Sequence, residues 1–304
     1  MYDVIIIGAG PAGLTAAVYA RRAEKTVLVI EKGTFGGQMT FSPKIENFPS
    51  FTQISGNELA ERMVEQALNM GAEIEMAEVT GVTKENGIFC VSTGDGQYLS
   101  HTVILATGSK HRHLGLDREE EFIGKGISFC AVCDGAFYSG KEVAVIGGGN
   151  SALVEAMMLA DVCSKVYIIQ NLDFMTGEEK LVSAIAKREN VEIIMGTVVD
   201  SIYGEEEFGG IITKRVSDGE KFRLDLDGMF VAIGQVPEND KFANIATLSD
   251  RGYIISDENC LTSTDGLFAA GDCRTKNIRQ IATACGDGAT AGLAASRYID
   301  NIKI

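Results

Sequence analysis

Tyr2-Asp-Val-Ile-Ile-Ile-Gly8-Ala-Gly10-Pro-Ala-Gly13 decides the fold. Val4-Ile5-Ile6-Ile7 is a β-branched apolar run bounded by glycine, the pattern of a parallel strand buried on both faces. Leu14–Arg22 reads as a helix with an Ala-rich apolar face, and Thr26–Ile30 as a second strand ending at Glu31, 18 residues after Gly13. Strand, GxGxxG, helix, strand and acid in this register describe a dinucleotide-binding βαβ unit. Gly8 permits the tight turn, Gly10 lets a pyrophosphate approach the backbone, and Gly13 lets helix and strand pack closely. The helix start offers N–H groups to an anion, and Glu31 is placed to accept hydrogen bonds from ribose hydroxyls.

A second unit of this kind begins at Glu142–Ile146, followed by Gly147-Gly-Gly149-Asn-Ser-Ala152, a helix through Leu159 and a strand at Lys165–Ile169. The tail carries a third signal. Leu267-Phe-Ala-Ala-Gly271-Asp272 is a strand running into Gly-Asp, followed by Arg279-Gln280 and a Gly/Ala-rich helix over Asp287–Tyr298. Its small residues suit close packing against the first glycine loop, so the chain begins and ends in one domain. The expected fold is α/β with two Rossmann-like dinucleotide-binding domains of the three-layer ββα type. The first spans 1–113 and 240–304, and the second, 114–239, is inserted into it.

Composition agrees. The 304 residues suffice for two domains, and 45% hydrophobic residues with 35 glycines and 4 prolines describe a compact α/β chain. Seven cysteines is an odd count, which argues against a structural disulfide framework. With a first strand starting almost at Met1, leaving no room for a leader, this favours a reducing cytoplasm. No stretch approaches the ~20 apolar residues of a membrane span. A net charge of −15 opposes nucleic-acid binding, which neutralises phosphates with Lys and Arg.

Cys130-Ala-Val-Cys133-Asp134 pairs two thiols with a carboxylate. The spacing suits a redox disulfide whose first thiol lies near a helix start, where N–H groups stabilise a thiolate. A zinc site needs two further ligands, yet no second CxxC exists and His101, His111 and His113 lack the spacing. An inert buried pair is the remaining reading. No metal is expected. Cys90, Cys163, Cys260, Cys273 and Cys285 read as core or loop residues.

Together these stretches resemble the low-molecular-weight thioredoxin reductase family of flavoproteins. The resemblance also covers Gly36-Gly37-Gln38, Glu46-Asn47-Phe48-Pro49, Ala106-Thr107-Gly108 and Ala232-Ile233-Gly234. It implies FAD in the outer domain. Gly8, Gly10, Pro11, Ala12 and Gly13 would line the pyrophosphate, and Glu31 the adenosine ribose. Gly37, Gln38 and Asn47 would surround the flavin, with Val79, Ala106, Thr107 and Gly108 also at the cofactor. Gly271 and Asp272 would meet the ribitol, and Arg279, Gln280 and Ile281 would lie near the isoalloxazine. It also implies the catalytic set: Cys133 nearest the flavin, Cys130 as interchange thiol attacking a partner's disulfide, and Asp134 as the acid handling the proton. Asp134 alternatively caps the helix. The implied partner is thioredoxin or a thioredoxin-like protein, and the implied assembly a homodimer.

The pattern breaks at the second glycine loop. In family members that use NADPH, the following strand ends in His-Arg-Arg with another arginine four residues on, gripping the 2′-phosphate. Here the stretch is Gln170-Asn-Leu-Asp173-Phe-Met-Thr176, with no basic residue from Val166 to Glu179. Losing two charged hydrogen bonds of roughly 1.5–3 kcal/mol each weakens NADPH roughly 10²–10⁴-fold. Val154 also stands where a glutamate is expected, leaving Glu155. The segment resembles the ferredoxin-dependent flavin thioredoxin reductase branch, which implies reduced ferredoxin as donor. An NADH- or NADPH-dependent enzyme is the alternative, and a flavin-binding redox sensor without turnover a third reading. Because flavin reduction and thiol exchange need different faces, the expectation is domain rotation or a flavin edge open to solvent. Lys110-His-Arg112-His113 and Arg274-Thr-Lys276 with Arg279 are candidate docking clusters, with ordinary surface solvation the favoured explanation of each.

Overall fold

The computed structural model describes residues 1–42 and 44–302. In chain order it forms β1 (Tyr2–Ile7), α1 (Pro11–Arg22), β2 (Val27–Glu31), α2 (Gly56–Asn69), β3 (Glu73–Met76), β4 (Val79–Glu85), β5 (Ile88–Thr93), β6 (Gln97–Leu105) and β7 (Lys110–His111). There follow α3 (Glu119–Phe122), β8 (Ile127–Ser128), α4 (Ala131–Asp134), β9 (Glu142–Ile146), α5 (Asn150–Ala160), β10 (Lys165–Ile169), α6 (Glu179–Ile185) and β11 (Val191–Ile194). Then come β12 (Thr197–Gly204), β13 (Phe208–Arg215), β14 (Lys221–Asp225), β15 (Gly228–Val231), β16 (Gln235–Val236), β17 (Leu267–Ala269) and α7 (Ile281–Ile302).

The chain divides into two compact units, 1–110 with 236–304, and 111–235. The crossings lie at 110/111 and 235/236, three to four residues before the boundaries expected from sequence. Each unit is built on the same plan.

In the discontinuous unit one sheet runs β3-β2-β1-β6-β5-β4, with β17 also on β6. The β1–β2, β1–β6, β2–β3 and β6–β17 pairs are parallel, whereas β4, β5 and β6 form an antiparallel meander. Strand β1 explains the apolar run: Val4 and Ile6 pack with α1 and α7, while Ile5 and Ile7 pack with the meander. A strand covered on both faces has no use for polar alternation. Helix α1 starts at Pro11 rather than Leu14, because proline at the first helical position gives up no needed N–H. Helix α7 starts at Ile281, six residues before the expected Asp287. Its glycines lower helix propensity, but they let it lie against α1. A Cβ on Gly288 would stand 2.2 Å from the Ala12 oxygen, and one on Gly292 2.7 Å from the Ala16 oxygen.

The continuous unit repeats the scheme with a parallel sheet β11-β10-β9-β15-β8 and a separate antiparallel sheet β12-β13-β14. In β9, Val143 and Val145 face the α5 side, while Ala144 and Ile146 join the cluster containing Ile202 and Ile211 of the meander. The expected α/β class with two Rossmann-like units is observed. Among the described residues, no helix is long and apolar enough to cross a membrane.

Candidate functional site

The first glycine loop is an open cradle whose helix carries no acid in its first turn, the nearest carboxylate being that of Glu31 on the Ala9 N–H. Gly8 has φ +111°, and a Cβ there would lie 2.3 Å from the Ala106 carbonyl oxygen, so only glycine fits between β1 and β6. A Cβ on Gly13 would lie 1.9 Å from the Gly8 oxygen, which fixes how closely α1 approaches the strand. Gly10 precedes α1 in an extended conformation, no side chain caps it, and the first turn carries no acid. Its missing Cβ would meet nothing nearer than the Gly36 oxygen at 4.0 Å. Gly36 N–H donates to the Ala9 carbonyl at 2.8 Å, which brings Gly37 and Gln38 on the 3-10 turn Gly37–Phe41 beside the loop.

Glu31 lies at the end of β2, where its two oxygens accept the N–H groups of Ala9 at 2.8 Å and Gly33 at 2.9 Å. Gly8, Glu31, Val79, Thr107 and Lys241 line one cleft of this unit. Ala106, Thr107 and Gly108 continue β6 past the sheet, and Thr107 Oγ1 donates to Asn239 Oδ1 at 3.0 Å. Asn47 donates to Gln280 Oε1 at 3.2 Å, so these two expected flavin neighbours touch.

Asp272 follows β17, close to α1: a Cβ on Gly271 would stand 2.8 Å from that of Ala12. Its Oδ1 is buried without a hydrogen-bond partner. Burial pushes the carboxyl up to about 6, against the pull of Lys276 and Arg279. An orphaned acceptor of this kind is matched by a ligand hydroxyl. Pro11 and Ala12 open α1, Ile281 opens α7, and the Arg279 guanidinium lies 4.2 Å over the Tyr253 ring. The open cradle and the orphaned Asp272 oxygen fit the ribityl diphosphate of FAD.

Cys130 and Cys133 form a disulfide with Cα atoms 5.3 Å apart. Cys130 is the residue preceding α4, and its Sγ accepts the Cys133 N–H at 3.2 Å. The cysteine is therefore the cap and Asp134 is not. Asp134 Oδ2 instead accepts the Ser128 hydroxyl at 2.6 Å, and Ser128 Oγ accepts the Cys130 N–H at 3.1 Å. Asp134 Oδ1 is buried without a partner. Burial raises the Asp134 carboxyl above its ordinary range, with the Ser128 bond opposing. A carboxyl held this way can keep a proton for a leaving thiolate. Ser128 was not legible in sequence, since nothing marks a serine two residues before a cysteine as its neighbour.

The second glycine loop differs. Glu178 Oε1 accepts the Asn150 amide at 3.0 Å and Asn150 Oδ1 accepts the Glu178 N–H at 2.7 Å, which sets a carboxylate at the start of α5. Thr176 and Gly177 donate to the Gly148 carbonyl at 2.9 and 3.0 Å. Gln170, where a ribose-reading acid would end the strand, is buried and donates to the Phe174 carbonyl at 3.0 Å. A Cβ on Gly148 would come within 2.5 Å of the Gln170 amide. The loop is packed by its own chain.

Of the two basic clusters, the one at Arg274 and Lys276 is not a surface patch. Arg274 and Lys276, expected at the surface, have side chains only 9% and 10% exposed. Asp287 accounts for this, pairing with Arg274 at 2.8 Å and Lys276 at 2.9 Å while also accepting the Gly271 N–H. Lys110 pairs with Glu238 at 2.8 Å and His113 with Glu120 at 2.7 Å. His111 is pushed down to about 4 by burial and by His113, and its ring stacks on Phe129 at 4.8 Å.

The chain matches the family model described as pyridine nucleotide-disulphide oxidoreductase over residues 2–288. It is 41% identical over 304 residues to a thioredoxin reductase of Listeria monocytogenes, covering 100% of this chain and 95% of that protein. It is 40% identical over 298 residues to a "34.2 kDa protein in rubredoxin operon" of Clostridium pasteurianum, covering 98% and 97%. The crystal structure of thioredoxin reductase from Streptococcus pyogenes superposes with a TM-score of 0.95 at 38% identity, covering 99% of each chain.

Proposed function

We infer that this chain, which belongs to the pyridine nucleotide-disulphide oxidoreductases and within them to the thioredoxin reductases, takes its electrons from a protein donor rather than a pyridine nucleotide. The family is one of FAD-dependent disulfide reductases, and this chain is an enzyme of that kind. Its substrate is the disulfide of thioredoxin or of a thioredoxin-like protein.

The contrast between the two glycine loops carries the reading of the donor. Both α1 and α5 start without a side-chain cap or a first-turn acid, and at the first loop the Glu31 carboxylate accepts the Ala9 N–H, ahead of the helix start. At α5 the Glu178 carboxylate is hydrogen-bonded to the first helical residue, so an incoming pyrophosphate meets a like charge where it needs N–H donors. At the end of β10 Gln170 is tied to backbone, and no Lys or Arg stands between Val166 and Glu179 to grip a 2′-phosphate. A flavoprotein without a working nucleotide site needs a soluble electron carrier. The rubredoxin operon of the clostridial relative favours a one-electron iron protein, and reduced ferredoxin is the donor we propose. The competing reading, NADH or NADPH, is favoured by the family's description and by the intact spacing of Gly147–Ala152.

The bound flavin supplies a two-electron store for the disulfide. The remaining chemistry belongs to this chain. Opening the Cys130–Cys133 bond consumes two electrons and one proton, leaving Cys133 as thiol and Cys130 as a thiolate that the Cys133 N–H is already placed to stabilise. Cys130 attacks the partner's disulfide, forming one S–S bond as another breaks, and Asp134 supplies the proton to the leaving sulfur. Cys133 then attacks Cys130, frees the reduced partner and restores the starting bond. We further propose a cytoplasmic homodimer, which light scattering tests directly.

One anaerobic sample mixed in turn with reduced ferredoxin, NADH and NADPH tests the donor. Bleaching of the flavin by ferredoxin alone is the expected result. Rapid bleaching by either nucleotide would replace this reading with the competing one.

A further inference from the structure

Among the described residues, three buried side-chain oxygens have no hydrogen-bond partner: Asp134 Oδ1, Asp272 Oδ1 and Glu155 Oε2. The first two sit on residues with a part in acid chemistry or cofactor binding. Glu155 has neither. It lies in the second turn of α5, its stem partly exposed and its carboxyl end buried. The backbone N–H of Ala131, the residue after Cys130 and the first of α4, lies near enough to the carboxylate to pull against its burial. Ala131 packs in one cluster with Ala152, Ala156 and Leu159 of α5, so helix and redox turn form one packed body.

We propose that Glu155 is a positioning residue for the redox pair, and that its proton occupancy is coupled through the Ala131 peptide to the opening of the Cys130–Cys133 bond. The oxidised pair is neutral. Opening it places a negative charge one peptide away from the carboxylate, and like charges in a buried setting disfavour each other. Glu155 therefore takes up a proton as the thiolate forms.

With a dithiol reductant the balance is complete. The reductant gives up two electrons and two protons and closes its own S–S bond. The Cys130–Cys133 bond breaks with the two electrons, one sulfur takes a proton, and Glu155 takes the second. Burial holds Glu155 up to about 7, the Ala131 N–H opposing, so the proton exchanges around neutral pH. Titratable groups on the elements packed against α5 are Asp134, Tyr138, Glu142, Lys165, Tyr167, Glu179 and Lys180, besides the cysteines. Burial and the Ala131 N–H set the proton affinity of Glu155.

The inference rests on the pair cycling, and not on the identity of the donor. The test is the equilibrium of the FAD-loaded enzyme with dithiothreitol from pH 6 to 8.5, read by quenched alkylation of Cys130 and Cys133 and mass spectrometry. Wild type and Glu155→Gln should agree at pH 6, where both side chains are neutral. By pH 8.5 the variant should be reduced at least about threefold more readily, the free energy of about half a pH unit of coupling. Glu155→Asp should restore the wild-type slope. An equal offset at every pH, or no difference, overturns the proposal. If Glu155→Gln does not fold, an inflection near pH 7 that survives in Asp134→Asn supports the proposal, and its loss there overturns it. A pair that dithiothreitol cannot reduce would refute cycling itself, a distinct outcome.

Discussion

Replacing Glu155 by glutamine tests how deeply the α5 carboxyl is buried, whatever its redox role. Burial raises this group from 4.5 to about 7. Each unit is worth 1.36 kcal/mol, so folding the ionised form costs about 3 kcal/mol relative to an ordinary glutamate. The sign follows from linkage. The folded value lies above the unfolded one, so the contribution to stability is complete below about 4.5 and is lost as pH rises through about 7. Glutamine never ionises and carries no such slope. The stability of Glu155→Gln minus that of wild type should therefore rise by about 2–3 kcal/mol between pH 5 and pH 8.5. Any cost of placing an amide against the Ala131 N–H is the same at both ends and cancels. Urea unfolding of the FAD-loaded protein at the two pH values measures the difference. Parallel stability profiles would refute the argument, because they would mean that the carboxyl is solvated despite its buried oxygen.

Other outcomes follow from the site. Gly8→Ala puts a methyl 2.3 Å from the Ala106 oxygen at φ +111°, and should give protein that retains no flavin, read from its absorbance. Asp272→Ala removes an orphaned acceptor; a charged hydrogen bond of roughly 1.5–3 kcal/mol predicts roughly 10–100-fold weaker FAD binding, measured by titrating flavin into the apoprotein. Cys130→Ser should keep the flavin and lose steady-state disulfide reduction, whereas retained turnover would remove the interchange role. Combining Glu178→Ala with Asn171→Arg and Leu172→Arg should let NADPH bleach the flavin, since it removes the carboxylate at α5 and restores two cations.

Both glycine loops and their strands were legible because runs such as Val4–Ile7 and Val143–Ile146 are covered on both faces and tolerate few other residues. The start of α7 was not, since the β-branched Ile281 and Thr283 and the flexible Gly286 argue locally against helix. The meander strands went unread for another reason: Lys221–Asp225 alternates charged and apolar residues, but a five-residue alternation is short evidence for a strand. Arg274 and Lys276 misled because charge suggests surface, and their partner Asp287 lies a helical turn into α7. The CxxCD pattern announced itself, but Ser128 and Glu155 act through burial, which no single residue type reports.

The contact of α1 with α7 ties the opening helix of the chain to its closing one, across the whole inserted segment. A nascent polypeptide leaving the ribosome therefore holds its first glycine turn incomplete until translation reaches α7. The middle lobe, continuous in sequence, is under no such delay and can collapse while synthesis proceeds. Coenzyme capture is thereby postponed until α7 has emerged, after the sulfur-bearing lobe has taken shape.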